Sequence, residues 1–344
     1  MVDIERLARK NVLDLIPYSS ARDEYSGEGA FFMDANENPY NPPFNRYPDP
    51  RQGKLRNRLT GMLGLRPENI FLGNGSDEAI DLLIRVFCVP GSDRIEVMDP
   101  SYGMYKVCAD INGVAADLVQ LNKDFSLDTA RILAAAGPAT KLIFVCSPNN
   151  PTSNLMKTQA IVEILERFSG ILVVDEAYVD FSGGGGLLGL LGNYPGLVLL
   201  RTLSKAWAAA GIRLGMALGD PKLIGLLNKI KYPYNVNILT QEKALEILDQ
   251  AEQKEEWIRL ILSERDRLGG ELSRLGQVRK VFPSDANFML VRVKDPAGLY
   301  DHLAGRGVIV RNRSRMTLCE GCLRITVGTP EENDRLLELI KSYE

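Results

Sequence analysis

The chain has 344 residues, 45% of them hydrophobic and 25% charged, with a formal net charge of -3. That length supports a sizeable core divided over two domains, and its interspersed charges leave no polybasic stretch for nucleic acid or a membrane surface. The charged segment 1–10 has no signal-peptide pattern and no apolar run reaches membrane-spanning length, so the expected compartment is the cytoplasm and the five cysteines read as free buried thiols.

In chain order, apolar runs alternate with helix-periodic stretches, the pattern of an α/β fold. Runs at 70–72, 94–98, 141–146, 171–174 and 197–200 read as strands, mostly buried, with helix patterns at 77–87 and 158–168 between them. Gly73-Asn-Gly75 leads into Ser76-Asp-Glu, which offers Ser76 as an N-cap and acidic residues in the first turn. Such a turn presents free backbone N–H groups to an anion. The four consecutive glycines from Gly183 to Gly186 read as a surface loop without chemistry.

After Pro233 the composition changes, because 240–275 is long, charged and helix-periodic. Short strands at 278–282, 287–293, 307–310 and 323–327 then alternate with helices at 296–305 and 330–342, giving a smaller α/β unit. The chain divides accordingly into a large domain, 31–235, and a small C-terminal domain, 236–344. His302, the only histidine, lies in an amphipathic helix pattern with no nucleophile beside it, which removes Ser-His-Asp and Cys-His hydrolases and leaves a helix-surface residue. Cys319-Glu-Gly-Cys322 has the spacing of half a zinc or redox site, but no second pair completes it, so no metal is expected.

The densest chemistry lies in Arg201-Thr-Leu-Ser-Lys-Ala-Trp-Ala-Ala-Ala-Gly-Ile-Arg-Leu-Gly215. Lys205 stands in a tight turn of small residues and can form a Schiff base with an aldehyde. The hydroxyls of Thr202 and Ser204 and the guanidinium of Arg213 can converge on a phosphate, and together these are what pyridoxal 5'-phosphate requires. A lone lysine beside an Ala-rich helix would be an ordinary surface residue; the serine before it and Gly-Ile-Arg-Leu-Gly beyond it decide otherwise. The segment resembles the lysine segment of the class II aminotransferases, within the fold type I pyridoxal phosphate enzymes.

A pyridoxal enzyme also needs a carboxylate against the ring nitrogen, since a protonated ring acts as the electron sink. Asp175 ends the run Ile171-Leu-Val-Val174 and so belongs at the carboxyl edge of a buried strand, where open α/β sheets place their ligands. A strand-end aspartate can equally meet solvent or cap a turn. Tyr178 shifts the balance toward the cofactor, because its hydroxyl can bond the ring's phenolic oxygen. Ser147-Pro-Asn-Asn-Pro-Thr152 is by chemistry a Pro-Asn turn; its resemblance to the aminotransferase loop implies that Asn150 reaches the same oxygen. In that family a glycine commonly follows the threonine, whereas this chain has Ser153. In Asp99-Pro-Ser-Tyr-Gly-Met-Tyr105 the resemblance makes Tyr102 the ring stacked on the pyridine face, although a tyrosine there could equally pack at a helix start. Gly75, Ser76 and Asp77 would supply backbone donors to the phosphate.

Pro17-Tyr-Ser-Ser-Ala-Arg22, Asp34-Ala-Asn-Glu-Asn-Pro-Tyr40, Asn45-Arg-Tyr-Pro48 and Gly321-Cys-Leu-Arg-Ile-Thr-Val-Gly328 extend the likeness over 18–328. Together they resemble the histidinol-phosphate aminotransferase family. The resemblance implies a large domain with a mostly parallel central sheet flanked by helices, a smaller α/β C-terminal domain, and an arm, 1–30, contributing to the small domain and to a homodimer. It places Tyr18, Asn36, Arg311 and Arg324 on the substrate side, the arginines gripping acidic groups. Tyr47 would reach the phosphate from the neighbouring subunit, so that the active sites are shared. The implied reaction is ping-pong transamination between glutamate or 2-oxoglutarate and imidazole acetol phosphate or L-histidinol phosphate, in histidine biosynthesis. Arg324 lies in an alternating strand pattern that can carry it inward, whereas Arg311-Asn-Arg-Ser-Arg315 is a basic loop that could be solvated. A threonine-phosphate decarboxylase of cobalamin synthesis and an aromatic amino acid aminotransferase share the fold and remain alternatives. A binding or regulatory protein on this fold would have lost Lys205 or Asp175, and both are present.

Overall fold

The computed structural model describes residues 2–18, 31–184 and 186–343. Residues 19–22 of the first N-terminal motif, most of the remaining arm and Gly185 of the glycine run lie outside the described residues.

Seven strands form the central sheet: β1 (Ile70–Asn74), β2 (Arg94–Asp99), β3 (Ala115–Gln120), β4 (Thr140–Cys146), β5 (Ile171–Asp175), β6 (Leu197–Thr202) and β7 (Leu214–Gly219), in the order β1-β7-β6-β5-β4-β2-β3. From β6 through β3 neighbours are parallel, and β7 runs antiparallel to both β6 and β1. The middle strands are continuous apolar runs because both their faces are covered. Leu172 and Val174 of β5 join one core with Ile143 and Val145, while Ile171 and Val173 join the opposite core with Phe87 and Phe144. Strands β3 and β7 escape a reading by apolar runs, β3 because it is a half-exposed edge and β7 because glycines punctuate it.

The helix after β1 spans Gly75–Phe87, with Asn74 at the N-cap position, so Ser76 lies inside the first turn and is not the cap expected of it. Gly75 sets this start: its φ of +71° suits glycine, and its N–H donates to Arg213 O at 2.6 Å. The stretch 240–275 is two helices, Ile238–Leu248 and Ala251–Ser273, rather than one.

A second sheet contains β8 (Val278–Val281), β9 (Phe288–Val293), β10 (Arg311–Asn312) and β11 (Cys322–Thr326), antiparallel in the order β10-β11-β9-β8. The strand expected at 307–310 does not form. Gly307 has φ +81° and Val308 N–H bonds back to Leu303 O, which closes the preceding helix, Pro296–Ala304, instead. That helix, Ala251–Ser273 and Pro330–Lys341 cover one face through Leu268, Leu299, Leu323, Ile325 and Leu336. The other face turns toward the central sheet, where Leu290, Cys319 and Cys322 share a core with β4 and β5. Both cysteines of this pair are fully buried, and burial pushes the Cys319 thiol up to about 12, which leaves it inert. His302 is not a free surface residue: its ring is half-buried, with Nε2 3.1 Å from Leu339 O, and ties two helices together.

The described part of the arm packs on the large sheet's side, not on the small sheet. Ile4, Ala8 and Val12 enter the core beside Phe87, and Arg9 N–H donates to Val86 O. Among the described residues no helix is long and apolar enough to cross a membrane, and no group of three or more metal-ligating side chains comes together.

Candidate active site

Cys146, Asp175 and Thr202 end the adjacent parallel strands β4, β5 and β6, so the sheet itself sets three side chains along one edge. Arg213, just before antiparallel β7, and Gly75, just after β1, arrive at the same edge. Gly215 makes this possible, since a Cβ there would meet Ser76 N at 2.1 Å. A cavity of about 180 Å³ opens at that point. Of the residues singled out from the sequence, Gly75, Ser76, Asp77, Tyr102, Asn150, Asp175, Tyr178, Thr202, Ser204, Lys205 and Arg213 all line it.

One end of the cavity is built for an anion. The first turn of the Gly75–Phe87 helix opens there, Thr202 Oγ1 donates to Ser204 Oγ at 3.0 Å, and the Arg213 guanidinium lies 4.0 Å from Asp77. A Cβ on Gly75 would meet Arg213 Nη2 at 2.9 Å, so the glycine keeps that space open. At the other end Asp175 is 3% exposed. Its Oδ2 accepts from the Tyr105 hydroxyl at 2.8 Å and its Oδ1 from Ala177 N–H at 3.0 Å. Burial raises its pKa to about 6, against the lowering effect of the Tyr105 bond. Between the two ends Lys205 is half-buried, with Nζ 5.5 Å from the centre of the Tyr178 ring. Burial, then the Arg324 charge, hold its amine below the usual lysine range.

The small sheet closes over this edge. Tyr178, Phe181 and Ala206 pack against Ile258, Ala286 and Phe288 across the joint. Arg324 Nη1 donates to Asn150 Oδ1 at 2.6 Å, and Arg311 faces Arg324 directly in the β10–β11 ladder. The loop bearing Asn150 is tied to the small sheet as well, with Asp285 N–H donating to Ser153 O and Asp285 Oδ2 accepting from Leu155 N–H, both at 2.7 Å. Ser153 is buried with φ +65°, the left-handed conformation that suits the glycine of the resembling loop, and its hydroxyl donates to Thr152 O.

Three expected residues lie elsewhere in this single chain. Tyr47 is half exposed and stacks on Tyr234 at 4.4 Å. Tyr18 is exposed and lines a different cavity, beside Arg56 and Lys229. Asn36 is exposed, with φ +54°. Tyr102 lines the cavity with its hydroxyl 3.1 Å from Asp77 Oδ1. Conversely, Tyr105, Cys146 and Ala177 belong to the site and were not singled out. Tyr105 was legible in principle, because it follows Tyr102 by three residues at the start of a helix, and the two rings meet edge to face.

An amine between an anion cradle and a buried carboxylate suits a phosphorylated, ring-shaped carbonyl compound. The family model for aminotransferase class I and II matches residues 32–340. The chain belongs to the class I and II aminotransferases. Among curated relatives of this aminotransferase, the histidinol-phosphate aminotransferase of Parabacteroides distasonis is 54% identical, over 99% of both chains. Among solved structures, the histidinol-phosphate aminotransferase from Clostridium acetobutylicum superposes with a TM-score of 0.80 at 26% identity, over 87% of this chain and 90% of that one. The Sinorhizobium meliloti histidinol-phosphate aminotransferase, solved in complex with pyridoxal-5'-phosphate, gives 0.78 at 25% identity, over 86% and 83%.

Proposed function

We propose that this chain is a histidinol-phosphate aminotransferase that binds pyridoxal 5'-phosphate in the cavity at the carboxyl edge of β4, β5 and β6. The observation that carries it is the single cavity lined by Lys205, Asp175 and Arg213, roofed by Arg324 on Asn150. The cofactor fits these residues: Arg213, Thr202, Ser204 and the N–H groups of 75–77 would hold its phosphate, Asp175 its ring nitrogen, Tyr178 and Asn150 its phenolic oxygen, and Tyr102 its ring face. When bound, the cofactor supplies a carbonyl for the amino group and an electron sink for the α-carbon.

The protein's own part is proton handling and orientation. Lys205 Nζ takes the proton from the substrate's α-carbon, and its lowered pKa raises the fraction in the free-base form that can do so. Asp175, held by Tyr105 and Ala177, keeps a negative charge at the buried end. Arg324 and Arg311 orient acidic groups of glutamate and of the phosphorylated partner.

The wider organisation is part of the same reading: an arm, 1–30, a large domain, 31–235, and a small domain, 236–344. A homodimer would cover the exposed apolar side chains Phe31, Met33, Tyr40, Phe44, Tyr47 and Tyr232, and would bring Tyr18, Asn36 and Tyr47 to a shared site. The five buried free cysteines accord with a reducing cytoplasm. One paired assay tests the function. L-Histidinol phosphate with 2-oxoglutarate should yield glutamate, and threonine phosphate should yield no carbon dioxide; the opposite result would replace this reading with the decarboxylase.

A further inference from the structure

The two-residue strand β10 continues one step further than its pairing with β11 implies, because Arg313 N–H donates to Cys322 O at 2.9 Å. Side chains alternate along such a ladder. Asn312 takes the helix-covered face, where its Nδ2 donates to Pro296 O, so Arg311 and Arg313 share the face that carries Arg324. That is the face turned toward the cavity, since Arg324 reaches Asn150 from it.

Three guanidinium groups on one face call for counter-charge, and the described residues provide none. Neither Arg311 nor Arg313 has a hydrogen-bonded or ion-paired acid among them, and Arg324 is bound to the neutral Asn150 and lies over Phe288. Arg313 differs from its exposed neighbours Arg311 and Arg315 in being half-buried, with a fully buried Nε that has no acceptor among the described residues. Arg292, on the same sheet, shows the alternative: its guanidinium is satisfied by the carbonyls of Glu320 and Leu318. Burial, then Arg324 and Arg311, depress the Arg313 guanidinium to about 10. A desolvated cation without a partner is unfavourable until an anion arrives.

We infer that Arg313 is a specificity-determining residue that completes, with Arg311 and Arg324, a three-guanidinium site for the phosphate dianion of the phosphorylated substrate. The inference rests on the phosphorylated substrate proposed above. A carboxylate, with two oxygens and one charge, is served by one or two guanidinium forks; a phosphate dianion offers three oxygens and a second charge, which matches a third.

The test uses the cofactor-loaded enzyme with two probes, and Arg315→Gln as a control of identical charge change on an exposed neighbour. Arg313→Gln should lower the ratio of kcat/KM for L-histidinol phosphate to that for glutamate by roughly tenfold or more, chiefly through KM, while Arg313→Lys falls between. Inorganic phosphate, as an inhibitor competing with glutamate, should weaken by a similar factor in Arg313→Gln and stay near wild type in Arg315→Gln. Equal losses for both donors, or equal effects of the 313 and 315 substitutions on phosphate inhibition, would overturn the inference. If the wild-type enzyme refuses L-histidinol phosphate altogether, the substrate reading fails, and the inorganic phosphate measurement still decides Arg313.

Discussion

On the floor of the cavity the carboxylates already have partners. Asp175 accepts from Tyr105 and Ala177, and Asp77 accepts from Tyr102 and lies near Arg213. On the roof, Arg311, Arg313 and Arg324 stand on one sheet face, and among the described residues no acid is hydrogen-bonded or ion-paired to them. The contrast follows from what each surface must meet. The floor belongs to the large sheet and is nearly complete in the isolated chain, with burial supplied by β4, β5 and β6. Among the described residues the roof, on the small sheet, meets the floor through an apolar joint and a few polar ties, and on the inference above a ligand would balance its charge. Floor substitutions should therefore act on chemistry and cofactor retention, and roof substitutions on substrate binding.

The largest expected effect is on the floor. Lys205→Ala should lower turnover with glutamate by roughly a thousandfold or more, because in the proposed mechanism it removes both the amine that would hold the carbonyl and the base at the α-carbon. Stopped assays on purified protein check this, and activity within tenfold of wild type would remove Lys205 from the mechanism. On the roof, Arg324→Gln should reduce kcat/KM by roughly a hundredfold with both glutamate and the phosphorylated donor, as a charge-assisted contact to each is lost. If it instead left binding intact and reduced only cofactor retention, floor and roof would not be separable.

Tyr105→Phe probes how the floor is held. The Asp175 carboxyl has a raised pKa, about 6 against an ordinary 3.8, so the cofactor-free chain loses stability from this group as pH rises from about 4 through 6. Above 6 the ionised carboxylate is available to a cationic ring nitrogen, so cofactor affinity should rise across the same window. Tyr105 donates to the ionised form, and removing it should move the pKa, and the acid limb of cofactor binding, to higher pH. Titrating cofactor affinity by fluorescence from pH 5 to 8 reads the shift. An unchanged limb would make Tyr105 a packing residue against Phe144 only.

The same contrast explains what the sequence made legible. Floor residues sit at the ends of strong apolar runs, so Asp175 after Ile171-Leu-Val-Val174 and Lys205 after Leu197-Val-Leu-Leu200 could be placed by local pattern. Strand β7 was hidden because Gly215, needed for the approach of Ser76, interrupts it. Roof residues depend on long-range register, which no local pattern reports; Arg313 looks like one of three solvated arginines until β10 is set against β11. Tyr18, Asn36 and Tyr47 were named by resemblance alone, and in the single chain they stand outside the cavity. In the homodimer proposed above a second subunit would place them, and such contacts leave no local pattern in the sequence.

The smallest expected effect concerns what joins roof to floor. Thr317 Oγ1, in the loop between β10 and β11, donates to Asp99 Oδ2 at the end of β2 at 2.5 Å. Thr317→Val keeps the shape and removes the donor. Because both side chains are only half-buried, water can replace part of the bond, and the expected loss is about 1 kcal/mol of stability in urea unfolding. The same change should raise KM for the phosphorylated donor a few-fold at constant kcat, since the floor is untouched and only the fraction of chains with the roof in place falls. A drop in kcat with unchanged KM would show that Asp99 and Thr317 act through β2 on the floor, and the separation of the two regions would then fail at this contact.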